Sequence, residues 1–290
     1  MKIYTAFLLS VLCSSVWAQD EHKYEFVTIG RNTISYLCKE EGEGKKVVLM
    51  VSGMGLDAHS TYKNTFHKFS SNDFMLCIYD RPGVGKSAHA VPKVRSMDVL
   101  SAELEAFVEF KKWDSVVLVA HSFGGLVARA FASENPSRVS ALLFVDAAHE
   151  SWYRNLKSSL SKEGWATMQW IMEWEKEKHS FEDFAESASK PERYELKKEI
   201  PITVMSRGLP HTAIRQTKMS YADVDVYNRT WDQSQIELTK ISDNAKHVIM
   251  KYSSHLYDKT DPWIVLEELN QLLSKVKPSP EEGLGRRTSN

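Results

Sequence analysis

One stretch of this chain could turn a hydroxyl into a nucleophile: Val116-Val117-Leu118-Val119-Ala120-His121-Ser122-Phe123-Gly124-Gly125-Leu126. A continuous apolar run ends on Ser122, and a helical pattern begins at once. Ala120 and Gly124 stand two positions to either side. A strained strand-to-helix turn exposes a serine hydroxyl at the carboxyl edge of a sheet, and only small residues at those two positions leave room for it. The Phe123 N–H, opening the new helix, can donate to an oxyanion. A serine before a helix can also be an ordinary N-cap. The paired small residues and the second glycine, which permits close helix–sheet packing, go beyond what a cap needs.

A serine hydroxyl needs a base, and histidine suits that task near neutral pH. Of ten histidines, His255 is the best placed, in Tyr252-Ser253-Ser254-His255-Leu256 after a short strand pattern and before a final helix that Asp261-Pro262 would open. His121 adjoins the nucleophile but is tied to the strand end, and His149, His211 and His247 are weaker candidates. The base in turn needs an acid to hold its tautomer. Asp146 closes the apolar run Ala141 to Val145, whereas the later run Ile202 to Met205 ends in Ser206-Arg207-Gly208 with no carboxylate nearby. Asp146 is therefore the favoured acid and Asp225 the reserve; the plainer role for Asp146 is a helix cap. A second oxyanion donor should follow the run Val47 to Val51, where the N–H of Met54 in Ser52-Gly53-Met54-Gly55 is the candidate.

Two other motifs compete for attention. Arg81-Pro82-Gly83-Val84-Gly85-Lys86-Ser87 ends like a phosphate-binding loop, but that motif requires glycine at position 80, which is Asp. Gly53-Met54-Gly55-Leu56-Asp57-Ala58 fits a dinucleotide fingerprint, with Asp80 closing a later strand. The pattern is equally that of a tight turn bringing backbone N–H groups close to a ligand, and the oxyanion loop absorbs it.

The elements that must position these residues alternate. Strand patterns fall at Tyr24 to Ile29, Thr33 to Cys38, Val47 to Val51, Phe74 to Tyr79, Val116 to Ala120, Ala141 to Val145, Ile202 to Met205 and Val248 to Lys251. Helical patterns cover Met97 to Trp113, Leu126 to Ala132 and Trp263 to Val276. This is an α/β pattern with a mostly parallel sheet. Residues 151–198 break it: they hold no clear strand, are rich in helix formers and carry Trp152, Trp165, Trp170, Trp174, Phe181 and Phe184, as a helical subdomain would. The core is then 19–150 with 199–277, and the polar segment 278–290 is expected to be a frayed tail.

Residues 1–18 combine Lys2, an apolar stretch from Ile3 to Leu12, and small residues ending at Val16 and Ala18. That is a cleavable secretory signal, too short to span a membrane comfortably. The expected location is secreted or periplasmic, with no stable membrane insertion after cleavage. The mature chain would keep Cys38 and Cys77, both in strand patterns, and two buried thiols are slightly preferred over a bridge. The 290 residues carry 37 Lys+Arg against 38 Asp+Glu, a net charge of -1 without a basic stripe, which argues against a nucleic-acid partner. Asn228-Arg229-Thr230 is a sequon that matters only in a glycosylating host.

The chain resembles the α/β-hydrolase superfamily from about Tyr24 to Val276. The features occur in order: Ser52-Gly53-Met54-Gly55 where the family usually has His-Gly, Asp80-Arg81-Pro82-Gly83-Val84-Gly85 as its arginine-containing turn, Ala120 to Gly125 as the nucleophile elbow, and Ser254-His255 as the terminal histidine loop. The resemblance implies a mostly parallel eight-stranded sheet whose second strand is antiparallel, flanked by helices, with an inserted helical cap and a cofactor-independent Ser–acid–His mechanism without metal. Ser52 in place of the usual histidine leaves the backbone donor intact. The acid moves from the Ile202 strand to Asp146.

The expectation is an exported serine hydrolase cleaving an ester or related acyl bond through Ser122, His255 and Asp146, with Met54 and Phe123 as oxyanion donors. The cap aromatics point to a small apolar or aromatic ester as substrate, or simply to core packing. A serine nucleophile argues against epoxide hydrolase or dehalogenase chemistry, which needs a carboxylate. The alternatives are a non-catalytic ligand-binding protein on the same scaffold, which leaves the Ser–His–donor set without a purpose, and a nicotinamide oxidoreductase built on Gly53 to Ala58, which leaves Ser122 and His255 unexplained.

Overall fold

The computed structural model describes residues 23–88, 94–189, 196 and 199–276. The expected signal at 1–18 and tail at 278–290 lie outside the described residues, as do 190–195 and 197–198 of the expected cap.

Eight strands form one sheet: β1 (Glu25–Ile29), β2 (Asn32–Lys39), β3 (Lys46–Val51), β4 (Phe74–Asp80), β5 (Val116–His121), β6 (Val139–Val145), β7 (Ile202–Arg207) and β8 (Ala245–Met250). Their spatial order is β1-β2-β4-β3-β5-β6-β7-β8. β2 runs antiparallel to both β1 and β4, and every pairing from β4 to β8 is parallel. The run Val47 to Val51 is apolar throughout because both faces of β3 are covered. Val47, Leu49 and Val51 join one core cluster while Val48 and Met50 join the other, the two-residue alternation of a pleated strand.

Among the described residues eight α-helices surround the sheet: α1 (Ala58–Lys68), α2 (Met97–Phe110), α3 (Gly124–Glu134), α4 (Glu150–Ser159), α5 (Lys162–Lys178), α6 (Phe184–Ala188), α7 (Tyr221–Thr239) and α8 (Pro262–Leu273). Residues of α2, α3 and α7 enter the first cluster and those of α1 and α8 the second. The helices α4, α5 and α6 occupy the insertion expected to be helical, and they lie between β6 and β7 in the chain. Two helices carry no clear signal in the sequence. Of the eleven residues of α1 only Ala58, Tyr62, Thr65 and Phe66 are buried. In α7, buried Asp223, Thr230, Ser234 and Gln235 blur the apolar stripe.

The two cysteines of the described chain are not free thiols. Cys38 and Cys77 form a disulfide, with 4.1 Å between their Cα atoms. The register explains why. Cys38 stands directly opposite Cys77 across the antiparallel β2–β4 pair, and such a close separation belongs to the non-hydrogen-bonded positions of that ladder, where facing side chains come nearest. Lying in strands is therefore what permits the bridge.

Among the described residues no helix is long and apolar enough to cross a membrane, and no cluster of three or more His, Cys, Asp or Glu could hold a metal ion.

Candidate active site

The strand β5 ends at His121, and Ser122 turns the chain into α3 with a left-handed φ of 52°. A non-glycine residue there is strained and persists only when its surroundings hold it. The hold is visible: the Ser122 carbonyl accepts the N–H of Gly125 at 2.9 Å and of Ala148 at 2.8 Å. The glycines of the elbow have specific reasons. A Cβ on Gly124 would fall 2.4 Å from the Val51 carbonyl oxygen, and one on Gly125 would fall 2.7 Å from Ala147 Cβ. The helix thus starts in contact with the ends of β3 and β6, which brings the Phe123 N–H to the sheet edge. The loop after β3 lies against the same point, since a Cβ on Gly53 would sit 3.2 Å from Ser122 Cβ.

His255 comes from the loop after β8. That loop is pinned to the end of β7, because Gly208 N–H donates to Met250 O at 2.8 Å and Leu209 N–H to Ser253 O at 3.1 Å. Asp261 stands at the N-cap position of α8 but makes no capping hydrogen bond; its carboxylate accepts from Ser253 Oγ at 3.3 Å within the same loop. His255 Nε2 then lies 3.0 Å from Ser122 Oγ, and His255 Nδ1 lies 2.5 Å from Asp146 Oδ2. Ser122, His255 and Asp146 therefore form one hydrogen-bonded line.

Asp146 is fully buried at the end of β6, with a left-handed φ of 43°. It is not a helix cap: His149 occupies that position for α4 and accepts from Ser151 N–H. The carboxylate is saturated. Oδ1 accepts from Trp231 Nε1 at 2.8 Å and the Arg207 N–H at 3.3 Å, and Oδ2 accepts from Arg207 Nη1 at 3.2 Å as well as from His255. Burial alone would raise its pKa, but the His255 hydrogen bond and charge, the Arg207 charge and the Trp231 N–H outweigh that and hold it well below the ordinary carboxylate range. The reserve acid Asp225 is exposed on α7 and makes no contact with His255 among the described residues.

The other histidines play different parts. His121 is buried, its Nε2 donates to the His255 carbonyl at 2.8 Å, and its ring lies 4.7 Å from the His255 ring. Burial and then the neighbouring His255 push its pKa down to about 3. The His211 ring lies 5.3 Å from that of His255, and burial followed by the charges of His255 and Arg207 lowers its pKa to about 4. His247 hydrogen-bonds Ser206 at 2.7 Å.

The strand order agrees with the fold found in the comparisons to known proteins. A family profile described as the α/β-hydrolase fold matches residues 46–184. The chain has the α/β-hydrolase fold. It is 25% identical over 252 residues to an AB hydrolase superfamily protein of Gibberella zeae, covering 69% of this chain and 78% of that one. It is 33% identical over 118 residues to a pimeloyl-[acyl-carrier protein] methyl ester esterase of Proteus mirabilis, covering 38% and 42%. Some curated relatives are matched over less than half their length, among them a Schizosaccharomyces pombe protein of which the chain spans 19%. Among solved structures, a haloalkane dehalogenase from Agrobacterium tumefaciens superposes with a TM-score of 0.62 at 13% identity, over 88% of this chain and 97% of that one. A thermophilic esterase from Thermogutta terrifontis gives 0.59 at 16%, over 88% and 99%.

The phosphate-loop look-alike at Arg81 to Ser87 is a turn folded onto Asp80. Lys86 N–H donates to Asp80 Oδ2 at 2.9 Å, Ser87 Oγ to the Asp80 carbonyl at 2.6 Å, and Ala58 N–H to Asp80 Oδ1 at 2.7 Å. The sequon asparagine is equally occupied: Asn228 Oδ1 accepts from Arg207 Nη2 at 3.1 Å and His211 N–H at 2.8 Å, while Nδ2 donates to Val224 O. The sequence alone does not reveal the roles of Arg207, Trp231 and Asn228 at this site. Arg207 ends the strand that lacks a carboxylate, and only a three-dimensional contact shows that a cation there serves Asp146, at the end of the neighbouring strand.

Proposed function

We propose that this protein is an exported serine hydrolase that cleaves an ester or related acyl bond, with Ser122 as nucleophile, His255 as general base and acid, and Asp146 as the orienting acid. The observation that carries this reading is the Ser122–His255–Asp146 line, with 3.0 and 2.5 Å between partners. Asp146 accepts a hydrogen bond from His255 Nδ1–H, which leaves Nε2 as an acceptor for the Ser122 hydroxyl proton. As Ser122 Oγ attacks the carbonyl carbon, His255 becomes an imidazolium stabilised by the ionised Asp146. The oxyanion is met by the N–H groups of Met54 and Phe123, and loss of one such donor costs about 100-fold or more in turnover. His255 then protonates the leaving alcohol. Water, activated by the same His255, releases the acyl group and restores the serine.

The likeness to a dehalogenase concerns the fold alone; at the elbow this chain has Ser122, not the carboxylate that such chemistry needs. An apolar or aromatic acyl or alcohol group suits the aromatic side chains near the site. Trp231 lies 5.5 Å from the His255 ring, Trp152 packs edge-on to Trp231, Tyr227 and Phe184, and Phe123 lies 5.8 Å from Phe184. The 1–18 segment supports export, and the Cys38–Cys77 bridge fits an oxidising compartment.

The test is labelling of the mature protein with a fluorophosphonate, followed by peptide mass spectrometry. Label on Ser122 that is lost in His255→Ala supports the hydrolase. A folded wild-type protein that takes no label overturns it and leaves a ligand-binding protein on a hydrolase scaffold.

A further inference from the structure

The segment His179 to Glu182, which follows α5 in the cap, is built into the loop that carries Met54. Glu182 and Arg81 are both buried, at 0% and 1% exposure. Arg81 Nε donates to Glu182 Oε1 at 2.7 Å and Nη2 to Glu182 Oε2 at 2.9 Å. The rest of the guanidinium faces the loop: Nη1 donates to the Ser52 carbonyl and Nη2 to the Gly53 carbonyl, each at 2.7 Å. Glu182 Oε2 also accepts the Gly55 N–H at 2.9 Å.

These bonds close a ring around one residue. A peptide unit is planar and trans, so its C=O and N–H point in opposite directions. Arg81, by holding the Gly53 carbonyl, therefore fixes the direction of the Met54 N–H. Glu182, by holding the Gly55 N–H, fixes the peptide on the other side of Met54. The Arg81–Glu182 ion pair ties both holds together, so neither dihedral of Met54 is left to drift. The contact is also filled sterically, because a Cβ on Gly55 would lie 2.0 Å from the His179 ring.

The cap side of the ring is equally constrained. Ser180 and Phe181 are consecutive left-handed residues with φ of 59° and 58°, a strained turn that aims Glu182 inward. Arg95 N–H donates to Phe181 O and Asp183 N–H to Arg95 O, both at 2.9 Å, and Arg95 Nη1 lies 3.6 Å from Glu182 Oε1. A buried ion pair is weak evidence for stability, since desolvation offsets much of its attraction. Holding a backbone donor in one orientation gives it a different purpose.

We propose that Glu182, acting through Arg81 and the Gly55 N–H, is a positioning residue that aims the Met54 N–H at the oxyanion, so that the cap completes the donor set. This rests on the serine-hydrolase reading above. Glu182→Gln keeps the shape of the side chain but weakens both holds, and Arg81→Lys leaves a point charge without the planar fork. A misplaced donor costs rate in the transition state, not affinity for the ground state.

The experiment measures fluorophosphonate labelling of Ser122 in wild type, Glu182→Gln and Arg81→Lys, resolved into a limiting rate and a half-saturating concentration. The limiting rate should fall about 100-fold in each variant, with the half-saturating concentration and the pH midpoint of labelling unchanged, because His255 and Asp146 are untouched. Absence of label in the wild type sinks the hydrolase reading. Labelled wild type with folded variants reacting within threefold of it overturns the role of Glu182 alone, as does a change confined to the half-saturating concentration. Should both variants misfold, the crystal structure of the wild-type phosphonate adduct decides. A phosphoryl oxygen on the Met54 and Phe123 N–H groups, with Glu182 still on Gly55, supports the role; an oxygen bound elsewhere overturns it.

Discussion

Ser122 and Asp146, at the carboxyl ends of the adjacent strands β5 and β6, both adopt left-handed backbone angles, with φ of 52° and 43°. The turns they make are joined, because Ala148 N–H donates to the Ser122 carbonyl at 2.8 Å. The proposed nucleophile and the acid that orients its base are thus both aimed by backbone strain. At such positions the usual preference for alanine over glycine reverses. Ser122→Gly and Ser122→Ala should both abolish labelling and turnover, yet the glycine variant should be the more stable by about 1 kcal/mol. Urea unfolding of the two variants checks this, and alanine ranking above glycine would show that the angle carries no strain.

The Asp146 carboxylate serves two donors, with His255 Nδ1 at 2.5 Å and Arg207 Nη1 at 3.2 Å from the same oxygen. Asp146→Asn should lower turnover by about four orders of magnitude, since an amide can set the wrong imidazole tautomer. It also leaves the Arg207 guanidinium, whose side chain is 2% exposed, without its buried counter-charge, which should destabilise the fold by about 3 kcal/mol or more. Asp225→Asn should change neither quantity by more than twofold. Parallel kinetics and denaturant melts of the two variants separate the acids.

How far the site could be read from the sequence follows from the range of each interaction. Ser122, Gly124 and Gly125 were legible because an elbow is defined within a few residues. Asp146 was legible only as a carboxylate at a strand end; what distinguishes it from a cap is Trp231 and Arg207, each more than sixty positions away. Of the strands, β3 and β5 announced themselves through unbroken apolar runs. The helices α1 and α7 did not, since α1 is largely polar and α7 buries polar residues among its apolar ones. The bridge between Cys38 and Cys77 depends on the register of β2 on β4, which no local pattern encodes.

Acid should destabilise this protein at a mild pH. His121 is buried with a pKa lowered to about 3, against an ordinary value of 6.5. A group whose folded pKa is depressed contributes stability that is fully present above its unfolded pKa and is lost as pH falls towards the folded one. His121 alone therefore gives a loss approaching about 1.4 kcal/mol per pH unit once the pH is well below 6.5. Asp146, also depressed, adds its own loss only below the ordinary carboxylate value of 3.8. Unfolding free energies from pH 7 to 4 should slope downward in the wild type and less so in His121→Gln. An equal slope in the two would remove His121 as the cause.

The cysteines offer a check on both the bridge and the leader. The chain has three cysteines, of which Cys38 and Cys77 are paired, so a protein processed after Ala18 has no free thiol when denatured without reductant. An unprocessed chain shows one, from Cys13, and reduction adds two in either case. Replacing both paired residues by serine should lower stability by about 4 kcal/mol from the chain-entropy relation, applied to a separation of 39 residues. Labelling of Ser122 should persist in that variant while it remains folded, because the bridge joins β2 to β4 and touches neither the elbow nor the His255 loop. Thiol titration with intact-mass measurement reads the first part and denaturant unfolding the second; two titratable thiols on the unreduced, cleaved protein would refute the bridge.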